Sequence, residues 1–490
     1  MTYLPQVVFV LIVVALAAFA LRREILSNPE VVTAGGMFLL LSLVGFLLPA
    51  VIALWIGTLV SLPWMGNLSA DDVWRAVLVF VISMALFAWG YRLSGRQGLG
   101  VQKSGSKKPI LRPEIAQAFR TAPLRYKYVY ACLLACAAIY VASLWVDMQA
   151  NGGSWSGFLT AHLLRRWTGE PIPASNAVAW AIQSIGPRML NVVTILTLIL
   201  FFYRSREGKP FLWGFVIPMG CWILTVTTFF RGTQLTFFVS MLMVEFLRRR
   251  VWSTTSPSAK VPLVSRRTVL IFALAVGAFV AYGSIRELME TNAWGAEEEV
   301  ASSVVAENAV ETLAESSALQ GLTTILHQFK GEMFFGGRTY IDMLLLPVPR
   351  SIWPSKPDWY GISDITRLEG EPPSTQSAVT MPGEAYANFG WLGLPLMFGF
   401  GLIFRLLERM RLSPRTFFVY AFWMPTAISI TFWMAFTGLM GQLVVLPLLL
   451  VLAAPAFRSR ARDARLAVRL KQLEEPQRLI PSTSIAVRDI

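Results

Sequence analysis

Charged residues are scarce in this chain. They make up 15% of its 490 residues, whereas soluble domains average about 25%, and 55% of the chain is apolar. This composition excludes an ordinary soluble domain. Cysteine and histidine are rarer still, with three and two residues. The cysteines all lie in apolar runs, so the sequence predicts no disulfide framework.

Metal and nucleotide motifs are missing as well. Cys132 and Cys136 are spaced as a ligand pair on one helix face, but a zinc site needs about four ligands and no others are near. We therefore interpret both as packing residues. There is no Gly-x-x-x-x-Gly-Lys-Ser/Thr loop, no dinucleotide fingerprint, no His-Glu-x-x-His motif and no Gly-x-Ser-x-Gly elbow. The sequence predicts neither a nucleotide-powered reaction nor a bound cofactor or metal.

The chain instead has a series of apolar runs of roughly 20 residues, each long enough to cross a bilayer as a helix. We predict an all-α, polytopic membrane protein with about eleven spans. The fifth span is the weakest because Arg188 shortens its apolar run, and we expect a tight turn near Gly438 and Gly441 between the last two. The predicted spans cover residues 4–21, 37–57, 76–92, 128–146, 189–203, 211–230, 234–247, 268–284, 389–407, 416–434 and 438–456.

The charge distribution predicts the orientation of these spans. The net charge is +14, yet residues 286–385 hold fifteen acids against six Lys or Arg, whereas residues 92–127 hold nine Lys or Arg and one acid. The positive-inside rule explains basic loops on a cytoplasmic side, so the basic charge predicts no nucleic-acid partner. We expect the N-terminus outside, on a retained helix without a basic n-region, and the C-terminus in the cytoplasm.

On this basis the chain divides into four regions. Residues 1–285 hold the first eight spans, basic cytoplasmic loops and a minor external segment, 147–188, whose spacing suits a helix in the membrane interface. Residues 286–388 form one large external loop, residues 389–456 the last three spans, and residues 457–490 a cytoplasmic tail. The aromatic residues of the large loop argue against disorder.

Arginines occur on the predicted outer face, where the positive-inside rule would not place them. Several guanidinium groups at an outer membrane surface would suit a pyrophosphate, because guanidinium binds phosphate oxygens in bidentate pairs and stays charged. The alternative is snorkelling or pairing with nearby acids, although Arg231 has no acid near it in sequence. The candidate diphosphate-binding residues are Arg231, Arg286, Arg338, Arg350 and Lys356.

Two residues are candidates for a general base that takes a proton from a sugar hydroxyl. Glu384 lies where a membrane surface is expected, and a carboxylate at that depth costs free energy unless it has a partner. Its alternative roles are to cap the ninth helix or to pair with an arginine. His327 is the only histidine of the large loop, and histidine suits proton transfer near neutral pH. Its flanks resemble an amphipathic helix, so the alternative is a structural histidine.

Two further acidic sites have local explanations. Asp71 and Asp72 could activate an acceptor or bind a metal, but the sequence Ser-Ala-Asp-Asp-Val-Trp around them also fits a helix N-cap with acids in the first turn. Glu245 precedes Arg248 and Arg249 by three and four residues, which predicts a local ion pair.

Three segments of the chain resemble a known family. They are Gly-Arg-Thr-Tyr (337–340), Pro-Arg-Ser-Ile-Trp-Pro-Ser-Lys-Pro (349–357) and Gly-Glu-Ala-Tyr-Ala-Asn-Phe-Gly (383–390). Their order, their place before a late transmembrane helix and the turn at Arg231 are similar to those of Wzy-type polymerases, which join oligosaccharide repeat units into O-antigen or exopolysaccharide. The clear similarity covers residues 330–410.

The resemblance implies a GT-C-like fold and a metal-independent glycosyltransferase in the bacterial inner membrane. Such an enzyme moves a growing glycan from one undecaprenyl diphosphate to the sugar of a second lipid-linked repeat unit, at the outer face. Membrane lipid, a flippase and a chain-length regulator would be its partners. Tyr340, Tyr386 and Asn388 would orient the glycan.

Two other functions remain open. An O-antigen ligase would use the same donor with a different acceptor. A flippase for lipid-linked oligosaccharides, or another transporter, would place charged residues deep within the spans. In this chain the ionisable residues gather at the predicted outer surface, which favours an enzyme.

The predicted orientation can be tested with a membrane-impermeant thiol reagent. A cysteine introduced near residue 310 should react from outside intact inner membranes, and one near residue 105 should not, because the charge distribution places them on opposite sides. Labelling is measured on a protein whose three native cysteines have been replaced. The reverse pattern would overturn the orientation.

Overall fold

The computed structural model describes residues 3–27, 33–56, 69–98, 113–151, 177–204, 216–226, 231–252, 318–329, 335–344 and 379–457, with a few isolated positions between them. Within these ranges the protein is almost entirely helical and has no β-strand; one isolated bridge pairs Leu124 with Phe457. The all-α prediction is therefore confirmed for this part of the chain.

The helices are numbered in chain order, and short turns join several of them. A π-helical turn spans Leu43–Leu47, and 3-10 turns span Gly390–Gly393 and Glu408–Leu412. The helices are α1 (Leu4–Ser27), α2 (Ala34–Ser42), α3 (Leu48–Ile56), α4 (Ala70–Gly98), α5 (Pro113–Arg120), α6 (Tyr126–Ala150), α7 (Ala177–Arg204), α8 (Ile217–Val226), α9 (Arg231–Trp252), α10 (Ala318–Gln328), α11 (Arg338–Leu344), α12 (Met381–Phe389), α13 (Leu396–Leu407) and α14 (Pro414–Ala453).

Five of the described helical segments are long and apolar enough to cross a membrane, and they coincide with the first five predicted spans. The fifth is longer than predicted, because helical backbone continues through Arg188 and Pro187 back to Ala177. The count of eleven spans stays a prediction, and the eighth, 268–284, lies almost wholly outside the described residues. The five segments are Leu4–Arg23, Ala34–Trp55, Ala70–Leu93, Tyr126–Ala150 and Ala181–Arg204.

Helix α14 folds back on itself. Its 40 residues would measure about 60 Å if the helix were straight, yet the rings of Phe418 and Phe457, near its two ends, lie 6.0 Å apart. Trp423 Nε1 also donates to the carbonyl oxygen of Gln442 at 2.9 Å. The chain therefore reverses direction between Trp423 and Gln442, where the sequence predicts a turn. Both predicted arms and the reversal between them are therefore confirmed, and helical backbone continues through the reversal.

Helices α4 and α13 pack so closely that their backbones are in contact. A Cβ added to Gly90 would lie 2.1 Å from the carbonyl oxygen of Phe398, and one added to Gly401 would lie 2.2 Å from that of Phe87. Small residues allow transmembrane helices to pack at this distance. This contact fixes α13, and the α12 helix before it, against α4.

Buried polar contacts join the helices at the end of the bundle where α1 ends and α2 begins, which we call the basic end. Glu408 is 2% exposed. Its carboxylate accepts hydrogen bonds from the Tyr91 hydroxyl at 2.5 Å, from the Ala34 N–H at 2.7 Å and from Arg405 Nη1 at 2.5 Å. One side chain therefore links α2, α4 and α13.

The close packing of α4 on α13 predicts a contrast between two glycines of α13. Gly401→Ala should force the helices apart, cost about 1–3 kcal/mol and lower the Tm of the purified protein. Gly399→Ala is the matched control, because a Cβ added at Gly399 meets no atom within 4 Å, and alanine is the better helix former by up to about 1 kcal/mol. An unchanged Tm for Gly401→Ala would contradict the packing.

Candidate functional site

The three short helices of the predicted external loop gather near the start of α4. Helix α10 packs on α4 and α12, and both α11 and α12 contact α14. Ile325, Phe329, Val379 and Ala387 form a small buried apolar core between them. A Cβ on Gly383 would lie 2.7 Å from Cδ1 of Ile325, so α12 and α10 pack closely. We call α10, α11, α12 and the first two turns of α4 the loop cluster.

Helix α12 begins at a strained residue. Thr380 has φ 63° and ψ 154°, a conformation that β-branched residues rarely adopt. Its Oγ1 caps the helix by accepting the Gly383 N–H at 3.2 Å. Pro382 lies in the first turn, where a missing N–H removes no helical hydrogen bond. Such strain persists only where surrounding contacts impose it, and it is concentrated at functional sites.

The other end of α12 is capped by the segment that precedes α11. The N–H groups of Phe335 and Gly336 donate to the carbonyl oxygens of Ala387 and Asn388 at 3.1 and 3.0 Å, and the Gly337 N–H donates to Asn388 Oδ1 at 3.1 Å. Carbonyls in the last turn of a helix have no partner within it. Gly336 and Gly337 have φ 59° and 88°, which explains why two glycines stand here.

Glu384 lies at the centre of the loop cluster. Its side chain is 0% exposed. Its Oε1 accepts the Thr339 hydroxyl at 2.8 Å, and its Oε2 accepts the Phe436 N–H at 2.7 Å. Asn388 Nδ2 donates to Thr339 Oγ1 at 2.7 Å and to the Glu384 carbonyl at 2.8 Å. These contacts join α11, α12 and α14.

The Glu384 carboxylate meets α14 in the interval where that helix reverses. A carboxylate that accepts an N–H at the start of a helical arm satisfies a donor and complements the helix dipole. Among its described contacts Glu384 caps an arm of α14 rather than the ninth predicted span, and the alternative of pairing with an arginine stays a prediction. These contacts do not test whether Glu384 acts as a general base, so that role stays a prediction.

His327 and Asp72 form a contact that joins α10 to α4. His327 Nδ1 lies 3.0 Å from Asp72 Oδ2, and the two side chains are 37% and 5% exposed. Asp72 also accepts the Ser69 hydroxyl at 2.7 Å, while its N–H donates to Ser69 Oγ at 3.2 Å. The predicted N-cap and the predicted helix around His327 are thus both confirmed. With the carboxylate as acceptor, Nδ1 carries the hydrogen and Nε2 is left to accept a proton.

Tyr340 packs into the same cluster. Its ring lies edge-on to Phe436, with 5.0 Å between centroids, and stacks on Phe389 at 6.1 Å. Burial, and then the nearby charge of Glu384, raises the pKa of the Tyr340 phenol, so it stays protonated. Its buried hydroxyl has no hydrogen-bond partner among the described residues.

A further cation, Arg75, lies near Tyr386 in the loop cluster. Its ring packs edge-on against Trp391, with 6.0 Å between centroids. Burial raises the pKa of Tyr386, while the positive charge of Arg75 lowers it. Arg75 lies on α4 one turn after Asp72, so α4 presents an acid and a cation to the loop cluster. The sequence signal for Arg75 is a basic residue at the predicted outer end of a span, against the positive-inside rule.

The predicted diphosphate-binding residues are only partly placed. Arg338 begins α11, its side chain is 62% exposed, and its Nε lies 3.5 Å from Oδ2 of Asp342. This contact matches the alternative prediction, in which the arginine pairs with a nearby acid. An exposed ion pair contributes little to stability, so an anionic ligand could replace Asp342 as the partner of Arg338. Arg231 is the first residue of α9. Arg286, Arg350 and Lys356 lie outside the described residues.

The remaining local predictions concern residues away from the loop cluster. The predicted ion pair of Glu245 is confirmed, since its Oε2 lies 2.7 Å from Arg248 Nε. The sulfur atoms of Cys132 and Cys136 lie 3.9 Å apart in α6. In the described ranges, no group of three or more His, Cys, Asp or Glu residues could hold a metal ion.

No protein family, curated protein or solved structure matches this chain.

The contacts of Glu384 predict two different mutant phenotypes. Glu384→Ala leaves the Thr339 hydroxyl and the Phe436 N–H without this acceptor, at a cost of about 1–3 kcal/mol for each buried group, so the Tm of the purified protein should fall. Glu384→Gln retains an acceptor oxygen and should unfold much closer to the wild-type temperature. Equal Tm values for both variants and the wild type would show that the carboxylate does not join these helices.

Proposed function

We propose that this protein is a membrane glycosyltransferase that polymerises undecaprenyl-diphosphate-linked oligosaccharide repeat units into O-antigen or exopolysaccharide. The reaction occurs at the outer face of the bacterial inner membrane and needs no metal ion. The N-terminus lies outside and the C-terminus in the cytoplasm. A GT-C-like arrangement of about eleven spans carries the loop cluster at the outer face.

The junction between two of the loop segments is the observation that carries this proposal. Residues 337–340 and 383–390 are separate in sequence, yet Glu384, Thr339 and Asn388 connect them through buried hydrogen bonds. These are two of the three segments that resemble the polymerase family. A fixed position for both supports a site that must align a large lipid-linked donor with a large lipid-linked acceptor.

The general base of the proposed reaction is His327 rather than Glu384. The His327 ring is partly exposed and is oriented by Asp72 at 3.0 Å, whereas both oxygens of the buried Glu384 already accept hydrogen bonds. A histidine held by a carboxylate can take a proton at Nε2 while the carboxylate stabilises the imidazolium. Glu384 then acts as a positioning residue for the two loop segments.

The proposed chemistry is a displacement at the anomeric carbon of the donor glycan. The acceptor hydroxyl oxygen forms a bond to that carbon, and its proton passes to His327 Nε2. The bond from the carbon to the diphosphate oxygen breaks, and its electron pair leaves with undecaprenyl diphosphate. The leaving group carries its own negative charge, so cations rather than an acid are needed to stabilise it.

Exposed arginines supply this positive charge. Arg338 and Arg75 are exposed and lie in the loop cluster, and bidentate guanidinium contacts suit phosphate oxygens. Tyr386 and the exposed Trp391 form an aromatic surface for the glycan, while Tyr340 and Asn388 hold the cluster in place. The proposed diphosphate set is completed by Arg231, Arg286, Arg350 and Lys356.

The test is polymerisation by the purified full chain, supplied with lipid-linked repeat units in excess EDTA. Wild-type protein should give a ladder of polymer lengths. His327→Gln should lower the rate by about 10²–10⁴-fold, the usual contribution of a general base. Asp72→Asn should also be slow, because the ring loses its charged partner. Asp71→Asn is the matched control, since Asp71 is exposed beside Asp72 and should leave the rate unchanged.

Different outcomes separate the alternatives. If His327→Gln makes normal polymer and Glu384→Gln loses activity, then Glu384 rather than His327 is the general base. Transfer of a single repeat unit to a lipid A core, without polymer, would identify a ligase. Transport of intact lipid-linked repeat units across vesicles, without a new glycosidic bond, would identify a flippase and overturn the proposal.

A further inference from the structure

A groove at the basic end of the bundle, at the opposite end of α4 from the loop cluster, has a lining suited to a lipid. It is a cavity of about 490 Å³ between α1, α2 and α4, within the range of about 300–1,000 Å³ typical of small-ligand pockets. Apolar side chains of Phe38, Leu39, Met84 and Phe87 form much of its wall. No step of the proposed glycan transfer uses it.

The cationic and apolar residues of the groove are separated along its length. On α4, Met84, Ala88 and Arg92 follow one another at steps of four residues, so they lie on one face and extend about 12 Å along the axis. On α1, Arg23 lies almost one turn beyond Ala20, toward the same end as Arg92. The groove therefore has two guanidinium groups at its mouth and apolar side chains farther in.

The mouth of the groove carries two guanidinium groups that no carboxylate among the described side chains neutralises. Arg23 and Arg92 are exposed, and neither forms an ion pair with any described residue. Glu408, which contacts Tyr91 at this end, has its own cation in Arg405 at 2.5 Å. Guanidinium groups in this setting favour a phosphate, whose oxygens accept paired hydrogen bonds.

The outer faces of the same helices suggest that the groove is reached from the bilayer. Leu16 and Phe19 of α1 are 63% and 65% exposed, and Trp89 of α4 is 61% exposed. Large apolar side chains on a helix of this hydropathy contact hydrocarbon rather than water. Trp89 lies one turn from Arg92, a combination typical of the membrane–water interface.

We propose that this groove binds one anionic glycerophospholipid, with its phosphate between Arg23 and Arg92 and an acyl chain along Phe38, Leu39 and Met84. Basic pockets between transmembrane helices on the cytoplasmic side are suited to such headgroups. The bound lipid fills the space between α1 and α4 and stabilises the basic end, whatever reaction the loop cluster performs.

Native mass spectrometry of the purified, delipidated full chain tests the proposal. Phosphatidylglycerol should bind at least about tenfold more tightly than phosphatidylcholine, and inorganic phosphate should not compete at equal concentration. The Arg23→Gln/Arg92→Gln variant should bind phosphatidylglycerol about thirtyfold more weakly, the loss expected for two cations at a membrane surface. The Arg22→Gln/Arg409→Gln variant removes two exposed arginines outside the groove and should bind as the wild type does.

A second variant covers the case in which the double arginine variant does not fold. Ala88→Phe fills the groove without changing its charge, and it should abolish phosphatidylglycerol binding. Equal affinity for phosphatidylcholine would overturn the role of the arginines. Full competition by inorganic phosphate would show a free-anion site instead. Equal losses in the two double variants would show only non-specific attraction to surface charge.

Discussion

Three buried carboxylates hold this protein together by accepting backbone N–H groups where helices begin. Asp72 accepts from Ser69 before α4, Glu384 from Phe436 in the returning part of α14, and Glu408 from Ala34 at the start of α2. A carboxylate taken out of water costs several kcal/mol. The positive end of a helix and a charge-assisted hydrogen bond offset that cost, and each acid also binds a second element.

The two ends of the bundle depend on one another through α4. At one end α4 carries Asp72 and Arg75, which meet the loop helices, and at the other it carries Tyr91 and Arg92, which meet Glu408 and the groove. Its 29 residues correspond to about 43 Å of helix. The contact of α4 with α13 then sets the height of α12, and with it that of Glu384, relative to the start of α4.

The features that could be predicted from the sequence are those that depend on local patterns of residues. Apolar runs gave the first five spans, and short-range spacing gave the Ser69–Asp72 cap and the Glu245–Arg248 pair. The pairs that build the site are different. His327 and Asp72 are 255 residues apart, and Glu384 and Phe436 are 52 apart. Such pairs depend on which helices pack together, and helices that are apolar all round carry no periodic signal for their neighbours.

The contact between Glu408 and Ala34 has a consequence for biosynthesis. It spans 374 residues, so the first N–H of an early membrane helix must wait for its acceptor until nearly the whole chain has been made. Domains generally fold in the order of synthesis, and contacts this distant in sequence form slowly. A nascent chain that ends before Glu408 therefore lacks the carboxylate to which the first N–H of α2 and the hydroxyl of Tyr91 both donate in the folded protein.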